Sequence, residues 1–293
     1  MRRRTRGRPR TLEPDKTLSE VYKNGVELLN GRPQALLEAK VLLLRAAAIS
    51  EEQYLAAPDR RCSPNAEAYF RRLVGRRLAG VPLSHLTRTK EFWSIPFEVT
   101  PSVLVPRPET EGLVEKVLEL STREAESILD VGTGSGCIAV ALAKELPRAD
   151  IHAVDISERA LAVARRNAAR QKAKHIQFQR SDLLSAFRGT GLRFDFIVSN
   201  PPYVSRAEWD ALPPDVRDFE PRRALFAGNS GLELIERLVR RAGAFLRPGG
   251  YLILEIGDGQ RDRVLRLFGR RWTDIETAWD LAGKPRVITA RRA

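Results

Sequence analysis

Cysteine is nearly missing from this sequence: there are two in 293 residues, Cys62 and Cys137. So few, placed so far apart, give no disulfide framework and no metal cluster, and a reducing cytoplasmic setting suits them best. Apolar residues never run on for the ~18 positions that a membrane span requires, so no membrane anchor is expected. The opening "MRRRTRGRPR" has no apolar stretch behind it, which excludes a secretory signal. No internal repeat is present. Negative charge is also scarce: 37 acidic residues face 50 lysines and arginines, for a net charge of +13. The excess favours an acidic partner, whether nucleic acid, a ribosome or an acidic protein, without choosing among them.

What is present describes a folded chain of about two domains, with 43% hydrophobic and 30% charged residues. Residues 1–16 read as a disordered basic tail, which leaves direct contact with nucleic acid open. Residues 17–82 read as a small helical domain. Leu18, Val21, Tyr22 and Leu29 are expected on one helix face, and Leu37, Val41, Leu44 and Ala48 on another. Ala66, Tyr69, Phe70, Leu73 and Val74 make a third, in a helix with Ser63 as N-cap and Pro64 in its first turn. Over residues 83–107, "KEFWSIPFEVTPSVLVPRP" mixes aromatics, β-branched residues and prolines, which predicts a hairpin or extended linker. A helix is expected near 109–120, with Glu109 and Glu111 at its positive end.

Residues 108–293 read as an α/β domain. Short apolar runs at 127–131, 151–156, 176–179, 195–199 and 251–256 alternate with helical patterns at 137–146, 157–170 and 232–245. Such alternation implies a parallel sheet with helices on both faces. The tail "TDIETAWDLAGKPRVITARR" reads as two further strands around the turn "LAGKP", placed to form an antiparallel edge.

Two corners of this domain carry chemistry. In "ILDVGTGSGCIAVALA", Gly132, Gly134 and Gly136 follow a strand and precede a helix. Glycine allows a tight turn and close backbone approach, and a helix start offers free N–H groups. In an open parallel sheet this is where a nucleotide-like ligand binds. A dinucleotide fingerprint is G-x-G-x-x-G; the spacing here is G-x-G-x-G after Asp130. That spacing resembles the first motif of S-adenosylmethionine-dependent methyltransferases. It makes Asp130 through Gly136, including Thr133 and Ser135, the candidate cofactor loop. Asp155 ends the next strand, where a carboxylate can accept both ribose hydroxyls. Asp182 and Leu183 follow the third strand, where such enzymes grip the adenine.

The second corner is "IVSNPPYV". A strand stops at Asn200, followed by Pro201, Pro202 and Tyr203. Asn200 is expected at the mouth of the cofactor pocket, at the end of the strand beside the glycine-loop strand. An amide or aromatic amine nitrogen is a poor nucleophile, because its lone pair is delocalised. Two acceptors can bind both its hydrogens and aim it at a methyl group: the side-chain carbonyl of Asn200 and the backbone carbonyl of Pro201. The paired prolines stiffen that carbonyl, and Tyr203 can pack on a planar group. Catalysis would rest on positioning and fixed dipoles, not on a strong base. Adenine, guanine and glutamine side chains all satisfy this chemistry.

From about residue 33 onwards the chain resembles the HemK/PrmC family of peptide chain release factor glutamine N(5)-methyltransferases. The segments that carry the resemblance are "EFWSIPFEVTPSVLVPRPETE", "VDIS" with Asp155, "SNPPYV" with Asn200, and "FEPRRALFAGNSGLELI". The resemblance implies a small helical domain that helps hold the substrate, then a Rossmann-like, seven-stranded class I methyltransferase domain. It implies S-adenosylmethionine as cofactor and, as substrate, the glutamine of the Gly-Gly-Gln loop of class 1 release factors. Glutamine methyltransferases of a ribosomal protein share the N-P-P-Y block but lack the acidic form of "RPETE", so they stand second. A nucleic-acid amino-methyltransferase remains a further alternative. Arg88 stands where many members carry glycine, and Leu183 where some carry an aromatic. Both departures bear on affinity more than on activity.

Overall fold

The computed structural model describes residues 16–122 and 125–293. The expected basic tail therefore lies outside the described residues, Lys16 excepted. The chain forms two compact units, one reaching to Thr87 and one from Arg88 to Ala293. No helix among the described residues is long and apolar enough to cross a membrane.

The first unit is helical: α1 (Leu18–Leu28), α2 (Ala35–Ala47), α3 (Glu51–Ala56), α4 (Pro64–Leu78) and α5 (Leu83–Thr87). Its starts are written in the sequence. Thr17 and Glu20 form a capping box, and Ser63 accepts from the Ala66 N–H ahead of Pro64. The core joins Leu18, Val21 and Leu29 to Phe70, Leu73 and Val74. The face expected for α2 is not the one buried. Leu37 is 51% exposed, while Glu38, Ala39, Leu42 and Leu43 turn inward. The inward face carries a buried acid. Glu38 lies 2.8 Å from both Arg77 and Arg32. Burial alone would raise its pKa, but the two guanidiniums outweigh that and hold it below the ordinary value. An apolar-only reading of the helix leaves such a pair out and so misplaces the face by about one residue.

The second unit begins with a hairpin, β1 (Thr89–Phe92) and β2 (Ile95–Glu98). Trp93 and Ser94 both take positive φ at its tip, as a type I′ turn demands. A 3₁₀ turn at Pro108–Thr110 leads into α6 (Glu111–Leu120). The sheet strands are β3 (Ser127–Val131), β4 (Asp150–Asp155), β5 (Gln177–Arg180), β6 (Phe194–Ser199), β9 (Leu246–Glu255), β10 (Trp272–Trp279) and β11 (Pro285–Arg292). Strands β7 (Val204–Ser205) and β8 (Phe226–Gly228) form a small separate pair. Among them run α7 (Cys137–Glu145), α8 (Glu158–Arg170), the single turns α9 (Arg206–Trp209), α10 (Pro214–Arg217) and α11 (Arg222–Leu225), then α12 (Glu233–Ala242) and α13 (Arg261–Leu265).

The order β10-β11-β9-β6-β3-β4-β5 is the doubly wound, seven-stranded arrangement expected from the sequence. The last two strands supply the antiparallel edge. Strands β3 and β6 are buried along their whole length, as inner parallel strands must be. Alternate residues feed two cores. Ile128, Phe196, Val198 and Ile253 pack with Val117 and Ile138, and Leu129, Ile197, Leu252 and Leu254 with Ile235 and Leu238.

Strand β9 starts earlier than its apolar run suggests, at Leu246. The "RPGG" segment lies within it and forms an irregularity in the pairing with β6. Here a Cβ on Gly250 would stand 2.9 Å from the Asp195 carbonyl oxygen. The chain builds outward from β3 to β5, then returns to lay β6 on the other side of β3. The crevice between the carboxyl ends of β3 and β6 is thus the switch point, where an open α/β sheet takes its ligand.

Candidate active site

The glycine loop leaves β3 at that crevice. The Gly132 and Thr133 N–H groups donate to the Val154 carbonyl at 2.8 and 2.9 Å, which folds the loop back over β4. Gly132, Gly134 and Gly136 all have positive φ. A Cβ at Gly132 would meet nothing within 4 Å, whereas one at Gly136 would stand 3.0 Å from the Ala164 Cβ. The first glycine therefore keeps space open for a ligand, and the third lets α7 start against α8.

A cavity of about 470 Å³ lies along this loop, within the range of small-molecule sites. Gly132, Gly134, Asp155, Asp182, Leu183, Asn200 and Pro202 line it. Val103 and Leu104 give it an apolar wall beside Leu183. The Asp155 carboxylate accepts from the Gly134 N–H at 3.0 Å and the Ser157 N–H at 2.8 Å. Burial raises its pKa, against those hydrogen bonds and the Arg223 guanidinium. Asp182 accepts from Arg237 at 2.7 Å. Leu183 holds positive φ, and its carbonyl accepts from the Ser181 hydroxyl at 2.6 Å.

Four residues of the predicted loop do not reach the cavity. Asp130, Thr133 and Ser135 are buried behind it, and Gly136 is absorbed by helix packing. The Thr133 hydroxyl donates to Asp130 at 2.6 Å, and burial pushes the Asp130 carboxyl up to about 7. These residues shape the loop from below.

At the end of β6, the Asn200 amide donates to the Thr110 hydroxyl at 2.9 Å. Thr110 in turn donates to Glu255 at 2.6 Å. The Tyr203 hydroxyl stands 3.5 Å from the other Glu255 oxygen, and the Tyr203 carbonyl accepts from Gln260 at 2.8 Å. Burial pushes the Tyr203 phenol up and lifts Glu255 to about 7. Pro201 is buried, and the cavity lining includes Asn200 and Pro202 but neither Pro201 nor Tyr203. Among the described residues, no group of three or more His, Cys, Asp and Glu gathers to hold a metal ion.

Several supporting residues are not assigned by the sequence reading. Glu220 accepts from the Val105 N–H at 3.0 Å and from Arg107 at 2.5 Å. It fastens the "FEPRRAL" segment to "LVPRPET". The Asn167 amide donates to the Ser135 carbonyl at 2.8 Å and pairs with both backbone groups of Glu98. It ties the hairpin to the glycine loop. A signal existed for Glu255: a lone acid at the end of the apolar run "YLILE".

Residues 20–87 match the PrmC N-terminal domain and residues 110–212 the Methyltransferase small domain. The chain is 42% identical over 279 residues to the release factor glutamine methyltransferase of Koribacter versatilis, covering 94% of this chain and 99% of that one. It is 43% identical over 263 residues to the enzyme of the same name from Geobacter sulfurreducens, covering 89% and 91%. Among solved structures, the hMettl16 catalytic domain in complex with an RNA hairpin superposes with a TM-score of 0.54. That likeness, at 17% identity over 71% of this chain and 79% of that one, concerns the fold.

Proposed function

This chain belongs to the release factor glutamine methyltransferase family, and on that premise we propose its reaction. It transfers a methyl group from S-adenosylmethionine to the side-chain amide nitrogen of the glutamine in the Gly-Gly-Gln motif of class 1 release factors. The release-factor name of relatives at about 40% identity favours this substrate over a ribosomal protein or a nucleic acid. The helical unit is assigned to holding the release factor, and the reaction to the cytoplasm, where translation ends.

The cavity suits the cofactor. Each Asp155 oxygen already accepts one backbone N–H and keeps lone-pair capacity for a ribose hydroxyl. Val103, Leu104 and Leu183 offer apolar surface to a purine, and the open space at Gly132 lets a ligand lie against the backbone. When bound, S-adenosylmethionine supplies an electrophilic methyl group on a sulfonium.

The chain's own part is to hold the acceptor nitrogen. The side-chain oxygen of Asn200 and the carbonyl of Pro201 take one amide hydrogen each, which leaves the lone pair facing the donor. Neither acceptor needs to be a base. Glu255 reaches Asn200 only through Thr110, and the nitrogen releases its proton after it has been methylated. Rate enhancement then comes from fixed geometry and from dipoles aimed at developing positive charge.

One observation carries this reading: Asn200 lines the same cavity as Gly132, Gly134 and Asp155. The test is mass spectrometry of the Gly-Gly-Gln peptide of a release factor after incubation with enzyme and cofactor. One added methyl on that glutamine supports the reading; an unchanged peptide, with methyl groups appearing on RNA instead, overturns it.

A further inference from the structure

The two ends of the Asn200 amide do opposite work, since its oxygen accepts and its nitrogen donates. Which end faces the cavity is settled behind it. Glu255 ends β9 and is 2% exposed. Its ionised carboxylate can only accept. The Thr110 hydroxyl lies 2.6 Å away, so its single proton is directed there. The same hydroxyl lies 2.9 Å from the Asn200 amide and has only lone pairs left to offer. It must therefore face the nitrogen, and the Asn200 oxygen must turn the other way.

We propose that Thr110 and Glu255 are positioning residues that set the polarity of Asn200, through a one-way chain from Asn200 to Thr110 to Glu255. The chain presents an acceptor, never a donor, to the substrate amide. The inference rests on methyl transfer to a carboxamide nitrogen, as read above. It explains why a buried carboxylate sits two hydrogen bonds from a site whose chemistry needs no base. The charged and titratable groups acting on Glu255 are Arg286 on β11, Glu109 beside Thr110, and Tyr203. Burial lifts it to about 7, so the chain runs one way only above neutral pH.

The experiment compares five proteins well above neutral pH: wild type, Thr110→Ser, Thr110→Val, Asn200→Asp, and Asn200→Asp combined with Glu255→Gln. It measures kcat and KM for a release factor, affinity for S-adenosylhomocysteine, and hydrogen exchange of the Asn200 side-chain amide by NMR where Asn200 is present. Thr110→Val should lower kcat by about 10- to 100-fold, the worth of one misdirected buried hydrogen bond. Its affinity for S-adenosylhomocysteine should hold, its Asn200 amide should exchange faster, and Thr110→Ser should restore both rate and protection.

Asn200→Asp should be slow, because an acceptor would then confront a hydroxyl whose proton is already directed to Glu255. Adding Glu255→Gln supplies a donor to Thr110, which frees the hydroxyl proton for the new carboxylate. The double variant should be about 10-fold faster than Asn200→Asp alone, a reversal that a purely structural role would not produce. A double variant no faster than Asn200→Asp, or a Thr110→Val enzyme as fast as wild type, would overturn the proposal alone. A wild-type chain that methylates no release factor would overturn the substrate reading, and this inference with it.

Discussion

Replacing Asn200 with alanine should separate chemistry from cofactor binding. The substitution removes one of the two acceptors proposed for the substrate nitrogen and leaves the glycine loop and Asp155 untouched. Removing one preorganised group of this kind from an active site costs about 3 kcal/mol of transition-state stabilisation, or about 100- to 1,000-fold in kcat. Cost to the fold is smaller. Thr110 loses its donor from Asn200 but keeps Glu255, a loss of about 1 kcal/mol. The assay pairs transfer of tritiated methyl groups to a release factor with calorimetric titration of S-adenosylhomocysteine. The expected result is a collapse in turnover with cofactor affinity changed by less than about 3-fold, under 1 kcal/mol. Loss of both together would mean that Asn200 supports the cofactor site as a whole. Retention of both would mean that the N-P-P-Y corner does not hold the acceptor nitrogen.

Asp155→Ala should act in the opposite sense, weakening cofactor binding by about 100-fold through lost charge-assisted hydrogen bonds; calorimetry showing unchanged affinity would contradict its placement. Gly136→Ala puts a Cβ at φ +82 and 3.0 Å from the Ala164 Cβ, and should destabilise the fold by about 2–4 kcal/mol, read as a lowered urea midpoint. Burial raises the folded-state pKa of Asp130 to about 7, above its unfolded value near 3.8. Its contribution to stability is therefore fully present below about pH 4 and lost as pH rises through about 7. Asp130→Asn should flatten the decline in stability over that window, as followed by denaturant titration at several pH values.

Much of the site is legible in the sequence because its signals are local. Gly132 to Gly136 announce a turn by composition, and Asn200 to Tyr203 announce a rigid polar corner after an apolar run. The parallel character of the sheet follows from alternation, since parallel strands need crossovers and those crossovers are helices; the order of its strands is seen in the fold. Contacts made across the fold carry no such local mark. Thr110 and Glu255 are 145 positions apart, and Val105 and Glu220 are 115 apart. Glu38 was hidden for a related reason. A charged residue reads as solvent-facing until its partners are known, and Arg77 lies 39 positions away. Asp130, Thr133 and Ser135 show the converse limit: a motif marks a segment, but not which of its residues line the cavity.

The register of β6 against β9 connects these distant residues. Ser199 pairs with Leu254, so Asn200 and Glu255 emerge side by side where the two strands end. The 3₁₀ turn before α6 then places Thr110 between them. That register is set further back, where β6 advances from Phe194 to Phe196 while β9 advances from Leu246 to Tyr251. The surplus residues of β9 are taken up around Gly249 and Gly250, and Gly250 has no room for a Cβ. A slip of one residue there would turn Glu255 to the opposite face of the sheet and bring Leu254 to the strand end beside Asn200. The irregularity at "RPGG", far from the cavity and blank as a motif, thus belongs to the machinery that orients the Asn200 amide.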